Sequence, residues 1–252
     1  MSTEKCQLYL ISPSKIEARD FCEELIPTLR VGNIACVQLR LKNSPEGLTR
    51  KTIEAILPIT KDYGVPLILN DDPIMALETG CDGVHIGQED TDYISARNII
   101  GRDAIVGVTC LDSIDLAMRA ADRGADYIAF GAFFPSRTKS SLGKPTIDTI
   151  KKWSEITTVP SVAIGGITPQ NCDQLVSAGA DFLAVISGVW EHPKGPAAAV
   201  RTGVSCEQNY SSCPCSLFNS HRHALLQCTH KSALTATCHA WWLAEKLPSS
   251  IG

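Results

Sequence analysis

Short apolar runs recur every twenty to thirty residues along most of this chain. They are Gln7–Ser12, Cys36–Leu41, Leu67–Asp71, Gly83–Gly87, Ala104–Thr109, Tyr127–Gly131, Ser161–Gly165 and Phe182–Ser187. Each has the length and composition of a buried strand. The segments between them carry helical spacing. Over Ser14–Ile26 the apolar residues Ile16, Phe21, Leu25 and Ile26 fall on one face. Ser113–Gly124 begins with an N-capping serine and ends at a glycine suited to close a helix. Thr168–Gly179 repeats that plan with Pro169 at the first helical position, so a helix is predicted there too. The phrase Gly124-Ala125-Asp126 recurs as Gly179-Ala180-Asp181, with Gly80-Cys81-Asp82 a variant, each directly before a strand. Eight strands alternating with helices predict an α/β fold, a (β/α)8 TIM barrel. A doubly wound open sheet is the alternative, and no Gly-x-Gly-x-x-Gly follows the first run to support it.

In such a barrel the chemistry lies at the C-terminal ends of the strands and in the loops that follow. The second run ends with Gln38, Arg40 and Lys42, whose spacing of two puts them on one face. Gln and Arg facing inward from a buried strand need a ligand or partner. The third end carries Asn70-Asp71-Asp72 and the fourth Gly87-Gln88-Glu89-Asp90. Carboxylates at adjacent ends can share a Mg²⁺, although each aspartate could equally cap the helix it precedes. The fifth end carries Thr109 and Cys110. After the sixth come Ser136, Thr138, Lys139 and Ser140 in a loop holding Pro135, Gly143 and Pro145. Hydroxyls and a lysine suit phosphate oxygens. Gly165-Gly166-Ile167 and Ile186-Ser187-Gly188 follow the last two strands, where barrels of this kind commonly hold phosphate. Two anion sites are therefore expected, one metal-assisted near ends two to four and one metal-free near ends six to eight.

Composition narrows the function class. A hydrophobic fraction of 44% with net charge −4 describes a soluble globular protein without a nucleic-acid-binding surface. No apolar run is long enough to span a bilayer, and no secretory signal opens the chain, so a cytoplasmic location is expected. Cysteines are numerous, but Cys6, Cys22, Cys36, Cys81, Cys110 and Cys172 are spread through the chain, mostly in apolar runs where cysteine packs as a small hydrophobe.

Taken together, Gln38-Leu-Arg-Leu-Lys42, Asn70-Asp71-Asp72, His85-Ile-Gly-Gln-Glu-Asp90, Phe134-Pro-Ser-Arg-Thr-Lys139, Gly165-Gly-Ile167 and Val185-Ile-Ser187 resemble the thiamine phosphate synthase family, in its order and spacing. The resemblance implies a (β/α)8 barrel and a Mg²⁺-dependent transferase of thiamine biosynthesis. Such an enzyme joins a pyrimidine diphosphate to a thiazole phosphate and releases diphosphate. It implies small-molecule substrates, no nucleic-acid or membrane partner, and leaves a homo-oligomer open. By that resemblance Gln38 contacts the pyrimidine, Arg40, Lys42, Asn70, Thr109 and Lys139 hold the diphosphate, and Asp71 and Asp90 hold Mg²⁺. Arg40, Lys42 and Lys139 carry the catalytic charge, while Ser136, Thr138, Gly166, Ile186 and Ser187 form the thiazole phosphate pocket.

Against this, a related thiazole tautomerase would need an acid/base histidine at position 111, where this chain has Leu111. A non-catalytic barrel would need affinity but not leaving-group stabilisation. Cys110 and His85 read as packing residues rather than catalytic ones. Beyond Arg201 the resemblance ends. Residues 202–252 hold Cys206, Cys213, Cys215, Cys228 and Cys238, four histidines and Trp241-Trp242, with no sustained period. Their spacing matches no standard zinc finger. The segment is expected to be a disordered tail, separate from a barrel domain over 1–201. A helix of about two turns over Gly195–Arg201 is short for covering the seam between the first and last strands.

Overall fold

The computed structural model describes residues 6–135 and 143–203. Strand and helix alternate throughout. The order is β1 (Gln7–Ile11), α1 (Ala18–Val31), β2 (Ile34–Leu39), α2 (Glu46–Asp62), β3 (Leu67–Asn70), α3 (Pro73–Thr79), β4 (Gly83–Ile86), α4 (Tyr93–Ile100) and β5 (Ile105–Leu111). It continues with α5 (Ile114–Asp122), β6 (Tyr127–Gly131), α6 (Ile147–Ile156), β7 (Ser161–Ile164), α7 (Asp173–Ser177), β8 (Phe182–Val185), α8 (Ser187–Trp190) and α9 (Pro196–Gly203). The eight strands pair in sequence order, all parallel, and close into a barrel. Closure is made by β1 against β8, with Gln7 opposite Phe182 and Leu10 opposite Val185.

Alternation along each strand divides the apolar residues into two cores. Leu8 and Leu10 face outward, in one cluster with Phe21, Leu25 and Leu29 of α1. Tyr9 and Ile11 face the barrel interior with Tyr127, Ala129, Val162 and Phe182. Strands buried on both faces leave no polar register, which is why these runs read as continuously apolar.

The recurring Gly-Ala-Asp phrase is a connector at the N-terminal end of the barrel. Gly80, Gly124 and Gly179 take φ of 73°, 95° and 99° as the chain leaves α3, α5 and α7. Each aspartate then accepts a main-chain N–H from the preceding strand. Asp82 accepts from Leu67 at 2.8 Å, Asp126 from Val106 at 2.7 Å and Asp181 from Ser161 at 2.8 Å. Asp126 also takes an ion pair from Arg97 at 2.5 Å.

One expected helix start is met in the structure and another is not. Ser113 caps α5 as predicted, its hydroxyl accepting from Leu116 N–H at 3.2 Å. Thr168–Cys172, however, forms a turn rather than the first part of a helix. The Asn171 side chain takes the Thr168 N–H at 2.8 Å and donates to the Gly166 carbonyl at 3.0 Å, so α7 begins only at Asp173. That competition by an Asn side chain is the usual reason a helix start is delayed. At the seam, α9 is short, as expected, yet it packs on α1 and buries Ala199 and Val200. Trp190 reinforces the same seam. Its ring lies 4.8 Å from that of Phe21, and its Nε1–H donates to the Ile11 carbonyl at 2.7 Å. Of the expected tail over residues 202–252, Thr202 and Gly203 fall within α9 and the rest lies outside the described residues, as do Ser136, Thr138 and Lys139.

Candidate active site

A cavity of about 260 Å³ opens at the C-terminal ends of the strands. Its floor is formed by Tyr9, Gln38, His85, Thr109 and Tyr127. One side carries Arg40, Asn70, Asp71 and the Gly87–Asp90 turn, and the other carries Gly131, Ala132, Gly165, Gly166, Ile186 and Ser187. The structure thus brings together Gln38, Arg40, Asn70, Asp71, Asp90, Thr109, Gly166, Ile186 and Ser187, taken from six of the strand ends. Lys42 is exposed in the loop after β2, its main-chain N–H held by the Ser14 carbonyl at 3.3 Å, and it does not line the cavity.

The acids at the third and fourth ends divide between two jobs. Asp72 caps α3, accepting from Met75 N–H at 2.9 Å, and Asp92 caps α4 by accepting from Ile94 and Ser95. Capping is therefore done by neighbours, and Asp71 and Asp90 line the cavity instead. Asp71 holds φ of 71°, a left-handed conformation in which Asp is among the few tolerated residues. Asp90 accepts the Gly87 N–H at 2.7 Å through one oxygen, which fastens its turn over β4. Gln88 crosses to the neighbouring strand and donates to the Thr109 carbonyl at 2.6 Å.

Among the described residues no three His, Cys, Asp or Glu side chains cluster as a cage for a metal. Two carboxylates facing a cavity are a different donor set. All their ligand atoms are hard oxygens, and Mg²⁺ is usually held by one or two carboxylates, waters and substrate phosphates. Asp71 and Asp90 fit that description, with the remaining ligands left to water and phosphate.

The opposite side is built from main chain. Gly165 and Gly166 hold φ of 106° and 59°, and a Cβ on Gly166 would meet Cβ and O of Phe134 at 2.9 Å. Only glycine fits this close approach to the chain after β6. Phe133 and Phe134 N–H donate to the Ile164 and Gly165 carbonyls, each at 3.1 Å. After the hydroxyl loop, Lys144 N–H donates to Asp112 at 3.0 Å. The chain is thus tied down beside the cavity on both sides of residues 136–142.

The floor is polar and buried. Gln38 Nε2 donates to the Tyr9 hydroxyl at 3.0 Å, and that hydroxyl lies 2.7 Å from the hydroxyl of Tyr127. The Tyr127 oxygen is 2.9 Å from His85 Nδ1, and His85 Nε2 is 2.7 Å from Thr109 Oγ1. Burial pushes both phenols well above the ordinary tyrosine range, so they remain protonated. Sequence reasoning missed Tyr9 and Tyr127. The signal was there in principle, since a phenol in a short buried strand must find a partner for its hydroxyl. His85 is buried, as expected, but it is a link in this polar chain. Cys110 is fully buried on the outer face of β5, and desolvation pushes its thiol up to about 12, so it is packing rather than a nucleophile. Leu111 lines the cavity and offers no group for proton transfer.

A family model and curated relatives place the chain in one family. A family model described as thiamine monophosphate synthase matches residues 8–189. The thiamine-phosphate synthase of Rhodospirillum centenum is 52% identical over 195 residues, covering 77% of this chain and 94% of that protein. The thiamine-phosphate synthase of Hyphomonas neptunium is 43% identical over 203 residues, covering 78% and 91%. Among solved structures, thiamine phosphate pyrophosphorylase from Pyrococcus furiosus superposes with a TM-score of 0.67 at 29% identity, over 79% of this chain and 93% of its own.

Proposed function

This chain belongs to the thiamine monophosphate synthase family, and from that premise we propose that its cavity joins an aminopyrimidine methyl diphosphate to a thiazole phosphate, yielding thiamine phosphate and diphosphate. The observation that carries the site assignment is the division of the cavity. Arg40, Asn70 and two carboxylates released from capping duty stand on one side, and a glycine main-chain cradle with Ser187 stands on the other.

The bond that breaks joins the pyrimidine methylene carbon to a diphosphate oxygen, and its electron pair leaves with the diphosphate. The ring amino group supplies electrons toward that carbon as the bond lengthens. The thiazole nitrogen lone pair then forms the new C–N bond. No protein nucleophile is needed, and Cys110 is too deeply buried to act as one. The protein has to stabilise negative charge growing on the leaving group and hold the thiazole in line. Arg40 and Asn70 take the first task, with Lys42 and Lys139 of the adjoining loops contributing charge. Gly166, Ile186 and Ser187 take the second, with Ser136 and Thr138. Gln38 reads the pyrimidine from the floor. Asp71 and Asp90 would hold Mg²⁺, which supplies Lewis-acid stabilisation to the departing diphosphate when bound.

Purified protein given both substrates, with and without Mg²⁺, is expected to form thiamine phosphate only with the metal. Asp90→Ala should lower turnover about a hundredfold or more and flatten the Mg²⁺ response, with unchanged circular dichroism. Full activity of Asp90→Ala would remove the metal assignment, and no product from either mixture would remove the reaction.

A further inference from the structure

The floor of the cavity holds a continuous line of buried polar groups. Tyr9, Tyr127 and Gln38 are at most 2% exposed and His85 8%, yet their side chains touch one another in a single line from β2 to β5. We propose that Tyr127 and His85 are positioning residues, links of a one-way hydrogen-bond relay that turns the Thr109 hydroxyl into a donor toward the cavity. The assignment rests on the reading of the site given above.

Counting protons sets the direction. The Gln38 amide N–H occupies the Tyr9 oxygen as an acceptor. Tyr9 then has one proton to give, and the Tyr127 oxygen lies 2.7 Å away. Tyr127 passes its own proton to His85 Nδ1. A neutral imidazole that accepts at Nδ1 carries its proton on Nε2, which donates to Thr109 Oγ1. Thr109 cannot then give its proton to His85, and its hydroxyl is left to donate into the cavity that it lines. In the reverse direction Tyr9 would receive two protons and would have to place its own elsewhere. The group beside it, the Cys36 sulfur, is a weak acceptor. The forward order uses every proton in a strong bond.

Space for the relay is built into a neighbouring strand. A Cβ on Gly107 of β5 would fall inside the Tyr127 ring, meeting its Cζ and hydroxyl. Gly107 is therefore what lets the phenol stand upright between Tyr9 and His85, where its ring stacks on the imidazole at 5.6 Å and 18°. A donor aimed at the leaving diphosphate acts on bond breaking more than on thiazole affinity.

The test uses the full chain with ¹⁵N-labelled histidine, and long-range ¹H–¹⁵N correlation to locate the His85 proton. Its signals are identified by their loss in His85→Asn. The native protein should carry the proton on Nε2, and Tyr9→Phe should keep it there, because Tyr127 still donates to Nδ1. Tyr127→Phe should abolish that preference. In turnover, Tyr127→Phe and Gly107→Ala should each lower kcat about ten- to a hundredfold while KM for the thiazole phosphate stays within about twofold. A proton on Nδ1 in the native protein overturns the relay, as does a Tyr127→Phe variant with native kcat or with losses shared equally between kcat and KM. A native protein that forms no product refutes the reaction proposed above, and the imidazole signals still decide the relay without turnover.

Discussion

Aspartates at the two ends of the same barrel do opposite work. At the N-terminal end, Asp82, Asp126 and Asp181 point along the strands into main-chain N–H groups and fasten neighbouring strands together. At the C-terminal end, Asp71 and Asp90 stand exposed at the cavity rim, and the capping that would have absorbed them is done by Asp72 and Asp92. The residue type is the same, and what each side chain faces, a neighbouring strand or the cavity, sets the two groups apart. A carboxylate bound by main chain between two strands contributes stability. One at the cavity rim presents its charge there, even where, as in Asp90, one oxygen also accepts the Gly87 N–H. The first set recurs by sequence phrase and the second does not, because connector geometry repeats around the barrel whereas the site is assembled once.

The largest effect expected from breaking this contrast is at the rim. Asp71→Asn keeps a residue that tolerates the left-handed backbone and removes only charge. Its kcat should fall about a hundredfold, with a thermal midpoint within about 2 °C of native. A comparable drop in midpoint would place Asp71 among the fastening residues. Next comes the opposite end. Asp126→Ala takes the acceptor from the Val106 N–H and removes the ion pair of Arg97, which keeps its bonds to Gly101, Ala104 and Tyr93, so unfolding free energy should fall about 2 kcal/mol. The midpoint should fall about 4–8 °C, with kcat per folded molecule unchanged. Loss of turnover without loss of stability would erase the division between the ends. The smallest effect is an absence of reaction. With its thiol pushed up to about 12, Cys110 stays protonated in the folded protein through ordinary assay pH. Because the folded value is raised, the protonated thiol favours folding below the unfolded range near 8.5, and this support fades as pH climbs toward the folded value. Alkylation at pH 8 followed by mass mapping should therefore leave Cys110 unmodified until denaturant is added, and rapid labelling of the native protein would contradict its burial.

The sequence showed the barrel clearly because doubly buried strands are nearly uninterrupted apolar runs, and all eight lie where those runs fall, within about two residues. The rim residues were legible for the converse reason. Gln38 is a polar side chain buried within a strand and Arg40 follows directly after that strand's end, and such positions demand an explanation. What remained hidden was of two kinds. Which aspartate caps and which faces the cavity depends on a single turn of backbone, and Asp71 and Asp72 cannot be told apart by type. The buried line from Gln38 to Thr109 draws on β1, β2, β4, β5 and β6, so no local spacing announces it. Asn171 likewise delays α7 through a contact with Gly166 that periodicity does not record.

The seam where β1 meets β8 has a consequence for synthesis. The Trp190 indole and the Ile11 carbonyl that it binds are 179 positions apart, and β1 finds its second partner only in residues 182–185. During translation the first strand must therefore wait, with one edge unsatisfied, until nearly the whole barrel has left the ribosome. Contacts this distant in sequence are entropically late and slow folding. A nascent chain stalled before Phe182 presents two open strand edges and an uncovered apolar interior, the surfaces that chaperones bind and that seed aggregation. The last strand thus acts as the commitment step of biogenesis, and premature termination ahead of it is expected to yield insoluble protein rather than a weakened enzyme.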